Sequence, residues 1–234
     1  MTHNKLFRLF ALCLLCCGGA AALTSCEQDD YDKGEGEYSL MRADFVEAHA
    51  DGTKNIDYAV TDDDDSMRIA KPLTARWVTT ADSVYRAILY YKKVGDGGTA
   101  EIISLGRPTT AHIQPPSYFQ KRGIITDPVK LESVWIGKNR RYLNLSLLLM
   151  VGQSDAEDTP VHSLGVVGDT IVTHADGTRT AWLRLVHDQG GVPEYYSQRT
   201  YFCIPIQNLS VDSLRLTVNT YDDGLVTKTL PAKR

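Results

Sequence analysis

Leu143, Leu145, Leu147, Leu149 and Val151 alternate without a break, separated by Asn144, Ser146, Leu148 and Met150. In an extended chain successive side chains point to opposite faces, so five large apolar groups at a period of two must face one deep core. A helix would scatter the same residues around its circumference. The pattern recurs at Leu214, Leu216 and Val218, which oppose Ser213, Arg215, Thr217 and Asn219, one face dry and one wet. Helical periodicity is scarce elsewhere. The chain is therefore expected to be all-β, with short antiparallel strands between glycine and acid-rich turns.

The expected strands fall into two groups. In the first, residues 38–50 form a long strand closed by Asp51-Gly52, and residues 55–60 and 66–70 flank the acidic turn Asp62, Asp63, Asp64 and Asp65. Residues 84–94 form the clearest strand, which Gly95-Asp96-Gly97-Gly98 turns into residues 99–105. Five strands in this order suit a small OB-like barrel over residues 37–113, closed so that no long edge is bare. Pro108, Pro115, Pro116 and Gly123 then break the pattern. Residues 114–126 read as a linker between domains, or as a crossing between sheets. The second group, residues 127–234, contains the leucine run and strands at 161–167, 180–187, 198–206, 213–221 and 225–230. Six strands at this spacing suit an antiparallel, immunoglobulin-like β-sandwich. Pro205 has no N–H for a ladder, so it belongs at an edge or a bulge.

The N-terminus carries an address. Lys5 and Arg8 precede an apolar run from Leu9 to Cys17, followed by small residues to Ser25. That is the order of a secretory signal, and residues 1–25 are expected to be one. The apolar run is too short to span a bilayer, which takes ~20 residues. Leu23-Thr24-Ser25-Cys26 resembles the lipobox of bacterial lipoproteins. The resemblance implies that the Cys26 thiol receives a diacylglycerol, that cleavage falls before Cys26, and that the new amine takes a palmitoyl-type chain. Each buried methylene then contributes about 0.8 kcal/mol to the membrane anchor. Ordinary secretion with Cys26 spare is the alternative. The following Glu27-Gln28-Asp29-Asp30-Tyr31-Asp32 is similar to the export signal of Bacteroides-type surface lipoproteins. Residues 26–36 would then be an acidic tether on an outer-membrane protein exposed at the cell surface.

Charge and cysteine usage narrow the function classes. Losing Lys5 and Arg8 with the signal takes the net charge from −4 to −6. A nucleic-acid partner is not expected, because no basic face is in evidence. Cys13, Cys16 and Cys17 lie in the signal and Cys26 would hold lipid, which leaves Cys203. With no intramolecular disulfide to form, stability must come from apolar burial. Cys203, inside Tyr201-Phe202-Cys203-Ile204, reads as a buried inert thiol rather than a nucleophile.

Several short motifs in a shared order resemble the NigD-like family of Bacteroides-type lipoproteins. They are Asp127-Pro128-Val129, Val134-Trp135-Ile136-Gly137, Tyr142-Leu143-Asn144-Leu145, Val161-His162-Ser163-Leu164, Leu183-Arg184-Leu185-Val186-His187-Asp188 and Tyr201-Phe202-Cys203-Ile204-Pro205-Ile206. The first group adds Tyr38-Ser39-Leu40, the acidic turn, and Val84-Tyr85-Arg86-Ala87. The resemblance covers nearly the whole chain and implies an N-terminal OB-like domain, a C-terminal β-sandwich and a lipid anchor. Through the family name it suggests bacteriocin immunity. The chain departs from the family pattern in two places. No glycine follows the acid pair in its acidic turn, and the basic turn Lys138-Asn139-Arg140-Arg141 precedes Tyr142.

His162 and His187 read as structural histidines bonded to backbone carbonyls, and His187-Asp188 is no dyad because strand neighbours face opposite ways. No Gly-x-Ser-x-Gly elbow and no Gly-Lys-Ser/Thr phosphate loop occur. Four consecutive aspartates cannot converge on Ca²⁺, so the acidic turn reads as a solvated hairpin tip. Trp135 and Trp182 read as core fillers. Tyr195 and Tyr196, after Gly190-Gly191-Val192-Pro193, read as the exposed aromatic pair. Tyr195, Tyr196 and His187 are thus the expected ligand contacts. No catalytic, metal or cofactor site is expected. The chain reads as a non-enzymatic envelope module for a protein or glycan ligand, with bacteriocin protection as the alternative and a hydrolase as the third reading.

Overall fold

The structure, a computed structural model, describes residues 40–95, 98–153 and 160–233. The signal segment 1–25, the Cys26 lipidation site and the tether 26–36 lie outside the described residues.

Strands β1 (Arg42–Ala50), β2 (Ile56–Thr61), β3 (Ser66–Leu73), β4 (Val84–Val94) and β5 (Thr99–Gly106) close into a barrel in the order β1-β2-β3-β5-β4. β1 runs antiparallel to both β2 and β4. The barrel shuts through a short parallel contact, Arg68 with Thr99 and Ile69 with Ala100, which leaves no edge to recruit another chain. Its interior mixes small and large side chains: Ala48, Ala59, Ala87 and Ala100 beside Val46, Ile56, Leu89 and Tyr91. So narrow a barrel fills without strain only when bulky groups face alanines.

The remaining strands build two stacked sheets. β6 (Thr109–Thr110), β7 (Ile113–Gln114), β8 (Lys130–Ile136), β9 (Tyr142–Val151), β10 (Ser163–Thr173), β11 (Arg179–Asp188), β12 (Tyr196–Pro205), β13 (Ser213–Thr220) and β14 (Gly224–Pro231) arrange as β14-β13-β11-β10-β7 against β6-β12-β9-β8. Leu143, Leu145, Leu147 and Leu149 of β9 face Leu214, Leu216 and Val218 of β13 in one core, as their alternation requires. The all-β architecture of an OB-like barrel followed by a two-sheet sandwich is thus present.

Within that architecture three features differ from the expectation. Residues 109–113, expected to end the barrel, join the sandwich instead. The crossing between sheets, one of the two expected roles of the breaker-rich stretch, therefore falls earlier than residues 114–126. β6 pairs in parallel with β12 and β7 in parallel with β10, so the chain crosses from one sheet to the other within five residues. Pro108 and Pro115 flank this crossing and lack the N–H needed to lengthen either strand. Second, β8 is a strand that simple alternation misses. Register shifts between Leu131 and Ser133, leaving Glu132 as the extra residue. The bulge resets the parity, so Leu131, Val134 and Ile136 all pack on the core. Third, β11 and β13 pair in parallel, because the chain between them visits the opposite sheet as β12. Pro205 ends β12, past the last residue paired with β6, where its missing N–H breaks no bond on that side.

Candidate functional site

Residues 142–147 of β9 are buried on both faces. One face meets the sandwich core. Asn144, on the other, meets the barrel. There Arg86 of β4 donates from Nη1 to Asp62 Oδ1 and from Nη2 to Asp62 Oδ2, both at 2.6 Å, and from Nη2 to Asn144 Oδ1 at 3.0 Å. Asn144 Nδ2 completes the ring by donating to Asp62 Oδ2 at 2.9 Å. The guanidinium lies 3.9 Å from the Tyr142 ring centroid and 5.2 Å from that of Phe45. Burial opposes its charge, but the hydrogen bonds and charge of Asp62 outweigh burial and hold its pKa above the ordinary arginine value. Cys203 sits beside this guanidinium. Burial pushes its thiol upward while Arg86 opposes the shift.

The two stretches that depart from the family pattern meet at this junction. Lys138 Nζ donates to Asp63 Oδ2 at 2.6 Å, the Asn139 N–H donates to the Asp62 carbonyl at 2.9 Å, and Arg141 pairs with Glu47. Gly137 makes this approach possible, since a Cβ there would fall 2.8 Å from the Asp62 Cβ. The acidic turn is therefore not merely a solvated tip. Asp62 is committed to Arg86 and Asn144, and its side chain is only 13% exposed. Asp63 to Asp65 remain at the surface. Among the described residues no three His, Cys, Asp or Glu side chains are grouped to hold a metal.

The structure separates the three expected ligand contacts. His187 is 1% exposed, so direct contact with a ligand is ruled out for the folded chain. Its Nδ1 lies 3.1 Å from the Asp127 carbonyl, which only accepts, so Nδ1 carries a proton. In the neutral ring Nε2 then accepts from His162 Nδ1 at 3.0 Å. Asp188 turns the other way and accepts from the Gly190 N–H at 2.9 Å, so the pair is no dyad. Tyr195, just before β12, and Tyr196, its first residue, are 76% and 57% exposed. The Tyr195 ring lies against Gly152, where a Cβ would meet its Cδ2 at 2.7 Å.

The tryptophans also differ from expectation. Trp135 and Trp182 are half-buried rather than central. Trp135 meets Phe45 edge-on at 5.5 Å at the junction, and Trp182 lies 4.3 Å beneath the Arg215 guanidinium on the outer sheet face. Sequence reasoning missed the Arg86–Asp62–Asn144 cluster, although a signal was present. Arg86 interrupts an apolar strand and Asn144 the leucine run, and a polar group placed there needs a partner.

No family model and no curated protein matches the chain. Solved structures do match. A NigD-like immunity protein from Bacteroides caccae superposes with a TM-score of 0.63 at 23% identity, over 80% of this chain and 91% of that one. The chain has the NigD-like fold. A toxin-related protein from Parabacteroides distasonis shares it with a TM-score of 0.60 at 17% identity, over 81% of this chain and 92% of that one. A lipoprotein from Bacteroides fragilis shares it at 0.58 and 12% identity, over 82% and 98% of the two chains. At these identities the likeness is one of fold. The NigD-like fold thus unites barrel and sandwich in sequences that have diverged widely.

Proposed function

We propose that the protein is a lipid-anchored envelope module that binds a protein or glycan ligand without catalysis. The observation that carries this reading is the exposed pair Tyr195, just before β12, and Tyr196, its first residue. Two neighbouring phenols offer apolar area and hydrogen-bonding tips at little entropic cost, which suits stacking on sugars or peptides. The anchor rests on the lipobox-like Leu23-Thr24-Ser25-Cys26, and the outer-membrane surface location on the acidic residues after it. A fold shared with a Bacteroides fragilis lipoprotein supports the anchor. Among the described residues no helix is long and apolar enough to cross a membrane.

Two measurements test this reading. Cys26→Ser should move the protein from envelope to soluble fractions, and firm retention of the variant would defeat the anchor. A pull-down against surface glycans and envelope proteins should recover a ligand that Tyr195→Ala with Tyr196→Ala loses. A turnover abolished by changing a polar residue would place the protein among enzymes instead.

A second reading, bacteriocin protection, is favoured by the fold shared with the Bacteroides caccae immunity protein. Deleting the gene should then sensitise cells to a cognate toxin, and unchanged survival would dispose of it.

A further inference from the structure

A cleft of about 580 Å³ opens between the first residues of β4, the crossing that leaves β5, and the sandwich residues Tyr142, Pro205 and Gln207. That is room for a single small ring with its substituents. Arg86, Arg107 and His112 line it, and no aspartate or glutamate does. Asp62 offsets Arg86, so the uncompensated charge of this wall is that of Arg107, on a chain with an excess of acid, 29 carboxylates against 25 cations. The neighbouring acids are already taken: Asp62 by Arg86 and Asn144, and Glu47 by Arg141 and Tyr142.

Two donors are left over. Arg107 is exposed and has no carboxylate partner among the described residues; its guanidinium stands 5.9 Å above the Trp77 ring. An aromatic face holds the cation while leaving its fork of N–H groups unsatisfied. Arg86, whose side chain is 4% exposed, spends both Nη atoms on Asp62 and Asn144, and its buried Nε has no hydrogen-bond partner. Thr109, Thr110 and Gln207 add neutral polar groups to the rim. The free Arg107 fork at the mouth and the neutral donors beside it, backed by an Arg86 side chain that Asp62 and Asn144 hold fixed, form a surface for planar or tetrahedral oxygen groups.

We infer that this cleft binds a small oxyanion, either the carboxylate of an acidic sugar or the phosphate of a small metabolite. Arg107 is its specificity-determining residue and Arg86 its fixed wall. The site is separate from the tyrosine pair. Tyr196 begins β12 and Pro205 ends it, which places the two regions roughly 30 Å apart along the strand.

The test is calorimetric titration of the full-length chain in detergent at matched ionic strength. The probes are D-galacturonate, inorganic phosphate and, as the neutral control, D-galactose. Saturable binding of at least one oxyanion is expected, with a change in tryptophan fluorescence because Arg107 covers Trp77. The tighter of the two probes identifies the source of the charge. Arg107→Gln should weaken binding by at least about tenfold. Arg107→Lys, which keeps the charge but loses the fork, should weaken it less. Lys228→Gln on β14 should bind as the wild type does. The inference is overturned if neither oxyanion saturates, if galactose binds as tightly as the tighter of the two oxyanions, or if Arg107→Gln binds unchanged. Because Tyr195 and Tyr196 take no part, these outcomes leave the proposed ligand surface to its own test.

Discussion

Arg86 and Asp62 neutralise one another where water scarcely reaches, so each is costly to leave alone. Arg86→Ala should strand the Asp62 carboxylate against Asn144 and lower stability by about 3 kcal/mol or more, read from urea unfolding. The double variant Arg86→Met with Asp62→Leu should recover much of that loss, because the apolar pair leaves no charge uncompensated. A double variant as unstable as Arg86→Ala would show that packing, or the Asn144 amide left without its two partners, sets the cost rather than charge. Cys203 follows the same logic of burial. Its side chain is fully enclosed and its thiol is pushed upward, so it should ignore a thiol reagent in the native state and react only once denaturant opens the sandwich. Prompt native-state labelling would contradict its placement. Of these residues, the inert cysteine was legible from its apolar neighbours. The partners of Arg86 were not, because they come from residues 24 and 58 positions away.

At the scale of elements, two turns with opposite charge are fitted to one another. The exposed Lys138–Asp63 pair is screened by water and contributes little, so Lys138→Ala should leave the unfolding midpoint almost unchanged. Gly137 is different, because Asp62 fills the space that a side chain would need. Gly137→Ala should cost about 1–3 kcal/mol, measured by thermal or urea unfolding, through separation of the turns. A neutral result would mean that the turns slide apart freely. β8 shows why some elements escape sequence reading. Its bulged Glu132 breaks the alternation yet reaches Arg199 of β12 through two hydrogen bonds of 2.6 and 2.8 Å. Those bonds, with one from Ser146, hold the Glu132 carboxyl down at about 2. β4, by contrast, was legible to the residue, since it carries neither proline nor glycine and turn residues follow it.

At the scale of the whole molecule, stability should fall away on both sides of neutrality. His162 has its pKa lowered below 6.5 by burial and then by the charge of His187, against smaller upward pulls from the Met150 backbone and from Glu194. The unfolded chain therefore binds this proton more readily, and stability should drop as pH falls below 6.5. His162→Gln should flatten that acid limb. Tyr91 and Tyr142 are pushed up to about 12, chiefly by burial, from an ordinary 10. Unfolding releases those protons first, so stability should also decline as pH rises from 10 towards 12. Melting temperatures measured across this range check both limbs, and a flat profile would refute them. The buried junction also predicts one calorimetric transition for barrel and sandwich together, which Arg86→Ala should split or broaden.

The sequence by itself determined the two β architectures, their order along the chain and the deep apolar face of β9. Each follows from local alternation and turn chemistry, which neighbouring residues carry without help. Only the tertiary structure decided that the acidic turn seals onto the basic one, that residues 109–114 serve both sheets, and that His187 is enclosed while Arg107 stands free. Those outcomes depend on pairings between distant positions, where burial and charge compensation are shared by residues that no local pattern connects.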